Sequence, residues 1–137
     1  MATQADLRRI ALSLPAAEQA RGRFAFSVRN KGTLKEFVWV WMERVTPKKP
    51  RVPNFAVIAV RVANLGERER LLAADPVKFF TEPHYDGFPA VLVRLEAVSV
   101  ADLKPLITEA WRCQAPVDLK RTERRSTPNT RGSFRNT

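Results

Sequence analysis

Apolar and polar positions along the chain follow two periods, and the points where one gives way to the other mark its elements. Leu7, Ile10, Ala11 and Leu14 fall at i, i+3, i+4 and i+7, the single apolar stripe of a helix over residues 3–14. Thr3 with Asp6 has the form of a capping box, in which each side chain satisfies a backbone N–H left unpaired at the helix start. Pro15 stops the helix, because the residue before a proline disfavours the helical region. The period then drops to two. Phe24, Phe26 and Val28 alternate with Arg23, Ala25 and Ser27, the pattern of a half-buried strand. Arg29-Asn30-Lys31-Gly32 reads as a turn, since Asn and Gly tolerate positive φ. Residues 37–42 are apolar on both faces of a second strand, with Phe37, Trp39 and Trp41 on one and Val38, Val40 and Met42 on the other. Large aromatic side chains are mostly buried, so the aromatic face is expected to be the core and the Val face to be partly covered by a loop. The competing reading has that aromatic face stacking bases between flanking cations.

Residues 45–54 carry Pro47, Pro50 and Pro53 among basic residues, a stiff segment lacking donors that is expected to project rather than pair. Ala56, Ile58, Val60 and Val62 alternate with Phe55, Val57, Ala59 and Arg61, a third strand that closes an antiparallel meander. Asn64 with Glu67 opens a helix to Ala74, with Leu65, Leu71 and Leu72 inward and Glu67, Arg68, Glu69 and Arg70 solvated; Asp75-Pro76 ends it. A short extended piece over Thr81–Tyr85, an Asp86-Gly87 turn and a strand over Ala90–Leu95 follow, with Pro89 removing one ladder donor. Ser99 with Asp102 caps a last helix whose Leu103, Leu106, Ile107, Ala110 and Trp111 form one stripe, and Pro116 marks its end. Beyond Leu119 the chain is polar and basic, with Phe134 its one large apolar residue, and residues 119–137 are expected to be a disordered tail after a single domain over 1–118. The order helix, three strands, helix, two strands, helix predicts an α+β two-layer sandwich, one antiparallel sheet backed by helices.

Charge changes this picture more than composition does. Lys and Arg number 24 against 14 Asp and Glu, a net +10, unevenly placed. Residues 21–51 hold Arg21, Arg23, Arg29, Lys31, Lys35, Arg44, Lys48, Lys49 and Arg51 against Glu36 and Glu43, a net +7. Residues 119–137 hold Lys120, Arg121, Arg124, Arg125, Arg131 and Arg135 against Glu123, a net +5. Such a field favours polyanions, nucleic acid first, by phosphate contacts that carry affinity without sequence specificity. The plainer alternative is a solvated basic face that keeps the protein soluble. The single Cys113 forms no internal disulfide and is expected to be a small buried residue at a helix end. With no basic-then-apolar leader pattern and no apolar run near ~18 residues, the chain is expected to be cytoplasmic and free of the membrane.

Several stretches resemble the MmcQ/YjbR-like family. Residues 7–15 are similar to its opening helix, 24–28 to its first strand and 71–76 to the end of its second helix. The most specific stretches are Phe79–Leu95, which carries His84, Tyr85, Asp86, Gly87 and Pro89, and residues 106–111 ending in Trp111. The resemblance covers residues 4 to about 118 and implies a sheet-and-helix sandwich of the kind also seen in type III secretion chaperones. It implies structural roles for those signature residues, and a DNA-binding label drawn from a double-wing arrangement. The basic segment 18–23 departs from a family stretch that is more often acidic, and the loop 45–54 is unusually basic.

Catalytic or metal chemistry finds little support. His84 beside Asp86 invites a general base or a ligand, but a metal site needs three or four ligands and there is no second His. No Ser or Cys has a His at motif spacing, and the five glycines are scattered, without a phosphate loop. The sequence thus points to a non-enzymatic protein without cofactor or metal, a monomer or weak dimer. DNA is its favoured partner, held by the basic wing loops and tail. The alternative is a protein-interaction module, expected to expose an apolar patch at the Val38/Val40 face or at Phe134.

Overall fold

The computed structural model describes residues 1–43 and 48–126; the side chains of His84 and of residues 122–126 lie outside that description. Helix α1 (Gln4–Leu12) begins on the expected capping box, Asp6 N–H donating to Thr3 Oγ1 at 3.1 Å and Thr3 N–H to Asp6 Oδ2 at 2.9 Å. Strands β1 (Ala17–Gln19), β2 (Ala25–Asn30), β3 (Thr33–Glu43) and β4 (Val52–Arg61) follow, then helix α2 (Leu65–Ala74), strand β5 (Phe79–Phe80), strand β6 (Ala90–Arg94) and helices α3 (Val100–Gln114) and α4 (Val117–Ser126). All pairings are antiparallel, in the order β1-β2-β3-β4-β6-β5. The α+β two-layer architecture is as the sequence predicts, with one strand and one helix more.

The principal core lies between the sheet and α1 and α3. Phe26, Val28, Val38, Val40, Ile58, Val60, Val91 and Val93 face Leu7, Ile10, Leu103, Ile107, Ala110 and Trp111. Burying each large side chain of that set contributes roughly 1.5–3 kcal/mol before conformational entropy is counted. Trp111 is fully buried and its Nε1–H donates to Pro15 O at 3.1 Å, so this signature residue joins α3 to the end of α1.

The face assignment of β3 is corrected. Val38 and Val40 belong to the principal core, whereas Trp39 and Trp41 face the opposite way, into a second cluster with Val57, Ala59, Tyr85, Ala90 and Leu92. The cause is a bulge. Register passes from Phe26↔Val38 to Ser27↔Glu36, leaving Phe37 without a partner on β2, so it joins Val38 in the core instead of continuing the alternation. A second irregularity, from Val40↔Ile58 to Trp41↔Asn54, lets β4 take up three extra residues against β3. Ala25 and Ser27, expected on a half-solvated face, are buried beneath the same second layer.

Other expectations also shift. Residues 52–54 pair with Glu43, Met42 and Trp41 and are part of β4, so the projecting segment between β3 and β4 is shorter than the proline pattern suggests; Pro53 sits where the ladder is already irregular. Residues 83–85 form a 3₁₀ turn, not an extended piece. Asp86-Gly87 is a type II turn: Phe88 N–H donates to Tyr85 O at 2.9 Å, with Asp86 at φ −60° and Gly87 at φ +77°. Leu65 is largely exposed, and Arg68 is buried. Cys113 is exposed. Where a disordered tail is expected after Leu119, the backbone remains helical to Ser126, with Leu119 packed on the core; residues 127–137, Phe134 among them, lie outside the described residues.

Candidate nucleic-acid interface

The topology sorts the predicted cations into two groups at opposite ends of β3. At the first end lies the β2–β3 hairpin, closed by Lys31 at φ 54° and Gly32 at φ 82°, both positive as a tight hairpin turn demands. It carries Arg29, Lys31 and Lys35, all exposed, with Arg29 Nη1 donating to Gly32 O at 3.2 Å. The end of α3 is held here, Asn30 Nδ2 donating to Gln114 O at 2.9 Å and Gln114 Nε2 to Glu36 O at 2.9 Å. Helix α4 therefore starts beside this hairpin, with Lys120 half-buried and Arg121 exposed; the side chains of Arg124 and Arg125 lie outside the described residues.

The second end is where β3 leads toward β4. Lys48 and Lys49 are exposed, Arg51 Nη1 donates to Met42 O at 2.9 Å, and Arg44 falls outside the described residues. The β1–β2 link reaches the same end, because Val40 N–H donates to Phe24 O at 2.9 Å just beyond Arg23. Arg21 and Arg23 are exposed there, and Arg23 ion-pairs with Glu36. Arg21, Arg29, Lys31, Lys35, Lys48 and Arg51 enter no ion pair among the described residues, whereas Arg9, Arg70, Lys78 and Arg112 are each neutralised by a neighbouring acid.

Between the two ends, the open face of the sheet is covered by segment 81–89. Tyr85 is buried, its hydroxyl accepts from Trp39 Nε1 at 3.2 Å, and burial pushes its pKa up, so it stays neutral. Phe88 meets Trp39 edge to face with centroids 6.3 Å apart, and Phe80 meets Trp41 likewise at 5.6 Å. Two arginines that charge counting passed over belong to this face: Arg61 lies 5.4 Å from the Phe88 centroid and Arg94 4.1 Å from that of Phe80, both at cation–π distance. Their signal in the sequence is positional, each lying two residues beyond an inward small or apolar residue of its strand. Within this segment Tyr85 and Gly87 shape the cover, Asp86 is an exposed turn residue, and Pro89 O accepts from Val62 N–H at 2.9 Å.

Away from the cations, a groove of about 410 Å³ separates α2 from α3, floored by Val60, Val62, Leu71 and Leu106. Cys113 stands at its wall, where partial enclosure pushes the thiol pKa up and keeps it from being a thiolate at neutral pH. Among the described residues no group of three or more His, Cys, Asp or Glu is placed to hold a metal ion, and no helix is long and apolar enough to cross a membrane.

The chain is 40% identical over 120 residues to the uncharacterised proteins Rv2570 and MT2646 of Mycobacterium tuberculosis and Mb2600 of Mycobacterium bovis, spanning 87% of this chain and 93% of each relative. It belongs to the family of proteins that these mycobacterial sequences represent. No family model matches it. The crystal structure of Deinococcus radiodurans protein DR2400, described as a DUF419 domain, superposes with a TM-score of 0.63 at 18% identity, covering 91% of this chain and 87% of that one, and so shares its fold.

Proposed function

We propose that this is a non-enzymatic, cytoplasmic nucleic-acid-binding protein, DNA favoured, that holds phosphates at the two ends of its sheet. The observation that carries this reading is the concentration of exposed cations at the two ends of β3, where Arg21, Arg29, Lys31, Lys35, Lys48 and Arg51 enter no ion pair among the described residues. The span of β3, eleven residues, is roughly 35 Å at ~3.3 Å per residue, close to one turn of B-form duplex, so two clusters of this spacing suit successive phosphate tracks on one side of a helix. The resemblance to the MmcQ/YjbR-like family, with its double-wing DNA-binding label, adds support. Helix α4 and the chain beyond it supply a further basic arm through Lys120, Arg121, Arg124 and Arg125.

Fluorescence anisotropy of the full-length chain with a short labelled duplex tests the reading: affinity is expected to fall steeply with salt, and absence of binding at low salt overturns it. The second reading, a protein-interaction module, takes support from a different surface than the sequence predicted. Val38 and Val40 are buried, but Phe55 (56% exposed), Val52 and Met42 are exposed apolar residues on the β3–β4 arm. That reading expects no affinity for the duplex in the same titration.

A further inference from the structure

The central row of the open face runs Ala25, Trp39, Ala59, Leu92 and Phe80 across five strands. Alanine on both neighbouring strands leaves the half-buried indole of Trp39 without cover from either side, and Phe88, 41% exposed, stands edge-on against it. On the segments that build this face, three buried polar atoms have no hydrogen-bond partner among the described residues: Trp41 Nε1, Arg61 Nε and Glu82 Oε1. The Trp41 side chain is only 8% exposed, so its donor is withheld from bulk water as well. Native interiors rarely leave such groups orphaned, and the partly exposed rings of Trp39 and Phe88 on the same face offer their surface to a ligand with a π-face.

We infer that this face receives unpaired nucleobases of the nucleic acid whose phosphates the hairpins hold, an inference that rests on the phosphate-binding reading above. A base has a flat face to lay against Phe88 and Trp39. Arg61 and Arg94, already over aromatic rings, are placed to extend the stack, and Arg23 crosses the same face toward Glu36. Paired bases in a duplex bury their faces against one another, so single strands or locally opened segments are preferred. The sheet then reads bases at its centre and phosphates at its ends.

The test compares three labelled ligands on the full-length chain at one salt concentration: a mixed-sequence 12-mer single strand, an abasic single strand of the same length and charge, and the corresponding duplex. The base-bearing strand is expected to bind about tenfold tighter than the abasic one and to quench tryptophan emission where the abasic strand does not. Phe88→Ala is expected to abolish the difference while leaving the abasic affinity in place, with circular dichroism confirming the fold. Equal affinity of the wild-type chain for base-bearing and abasic strands overturns this inference and leaves the phosphate reading standing. A preference for bases that Phe88→Ala leaves intact overturns the assignment to this face. Failure of all three ligands to bind at low salt overturns the phosphate reading, and the base site with it. Should Phe88→Ala not fold, the abasic comparison and the quenching on the wild-type chain decide the question.

Discussion

Arg68 ties the covering segment 81–89 to α2 with one side chain. Its Nη1 donates to Tyr85 O at 2.7 Å and Phe88 O at 3.1 Å, its Nε lies 3.4 Å from Glu69, and the residue is 6% exposed. In the sequence it sits in Glu-Arg-Glu-Arg, a run that looks solvated; its clue is that it lies three and four residues before Leu71 and Leu72, on their side of the helix. Arg68→Ala removes both side-chain hydrogen bonds to the cover, although Tyr85 O keeps Phe88 N–H and Phe88 O keeps Ala90 N–H as donors, and is expected to lower unfolding free energy by about 1–3 kcal/mol in urea. Arg70→Ala, which breaks only a surface pair with Glu67, is expected to cost under about 0.5 kcal/mol. Equal costs for the two would remove Arg68 from this role. Two caps give a pH dependence. The backbone N–H of Thr3 holds Asp6 below its ordinary value of 3.8, and that of Ser99, followed by the Lys78 ammonium, does the same for Asp102. Because the folded values are depressed, this stabilisation is full above the ordinary carboxylate value and is lost as pH falls through the folded ones. The thermal midpoint is therefore expected to fall below about pH 4, and less steeply in Asp6→Asn/Asp102→Asn.

The elements that the sequence predicts well are those defined locally. Thr3/Asp6, Asn64/Glu67 and Ser99/Asp102 all cap as expected, because a cap needs only residues within one turn. Strand β1 escapes notice because Ala17-Glu18-Gln19 has no period and becomes a strand only through pairing with β2. The faces of β3 are misassigned for a related reason: alternation counted along one strand cannot register a bulge, which is a property of two. Helix α4 is missed because its apolar content is little more than Val117 and Leu119, and the packing of Leu119 on the core anchors its start. Truncations separate these contributions. Removing residues 122–137 is expected to leave the thermal midpoint within about 1 °C, whereas removing 116–137, and Leu119 with it, is expected to lower it by about 2–5 °C. A larger fall from the shorter truncation would mean that the residues beyond Arg121 pack on the domain.

Taken whole, the molecule presents a sheet with one face closed by α1 and α3 and the other covered by segment 81–89, and with exposed cations at both ends of its longest strand. The net charge and its uneven placement were legible in the sequence; the division of that charge between two ends was not, because it depends on which way each hairpin runs. The aromatic face shows the same limit: its rings were visible as residues, while the orphaned donors beside them exist only in three dimensions. Both ends are expected to contact phosphates together. The direct measurement is the salt dependence of binding to a duplex longer than one turn, for the wild-type chain and for Lys31→Ala/Lys35→Ala and Lys48→Ala/Lys49→Ala. Each lost phosphate contact is expected to reduce the slope of log affinity against log salt by about 0.9, so each double variant should lose about two such increments. A slope that changes for one hairpin and not the other would contradict the two-ended reading, and a wild-type affinity indifferent to salt would contradict phosphate binding altogether.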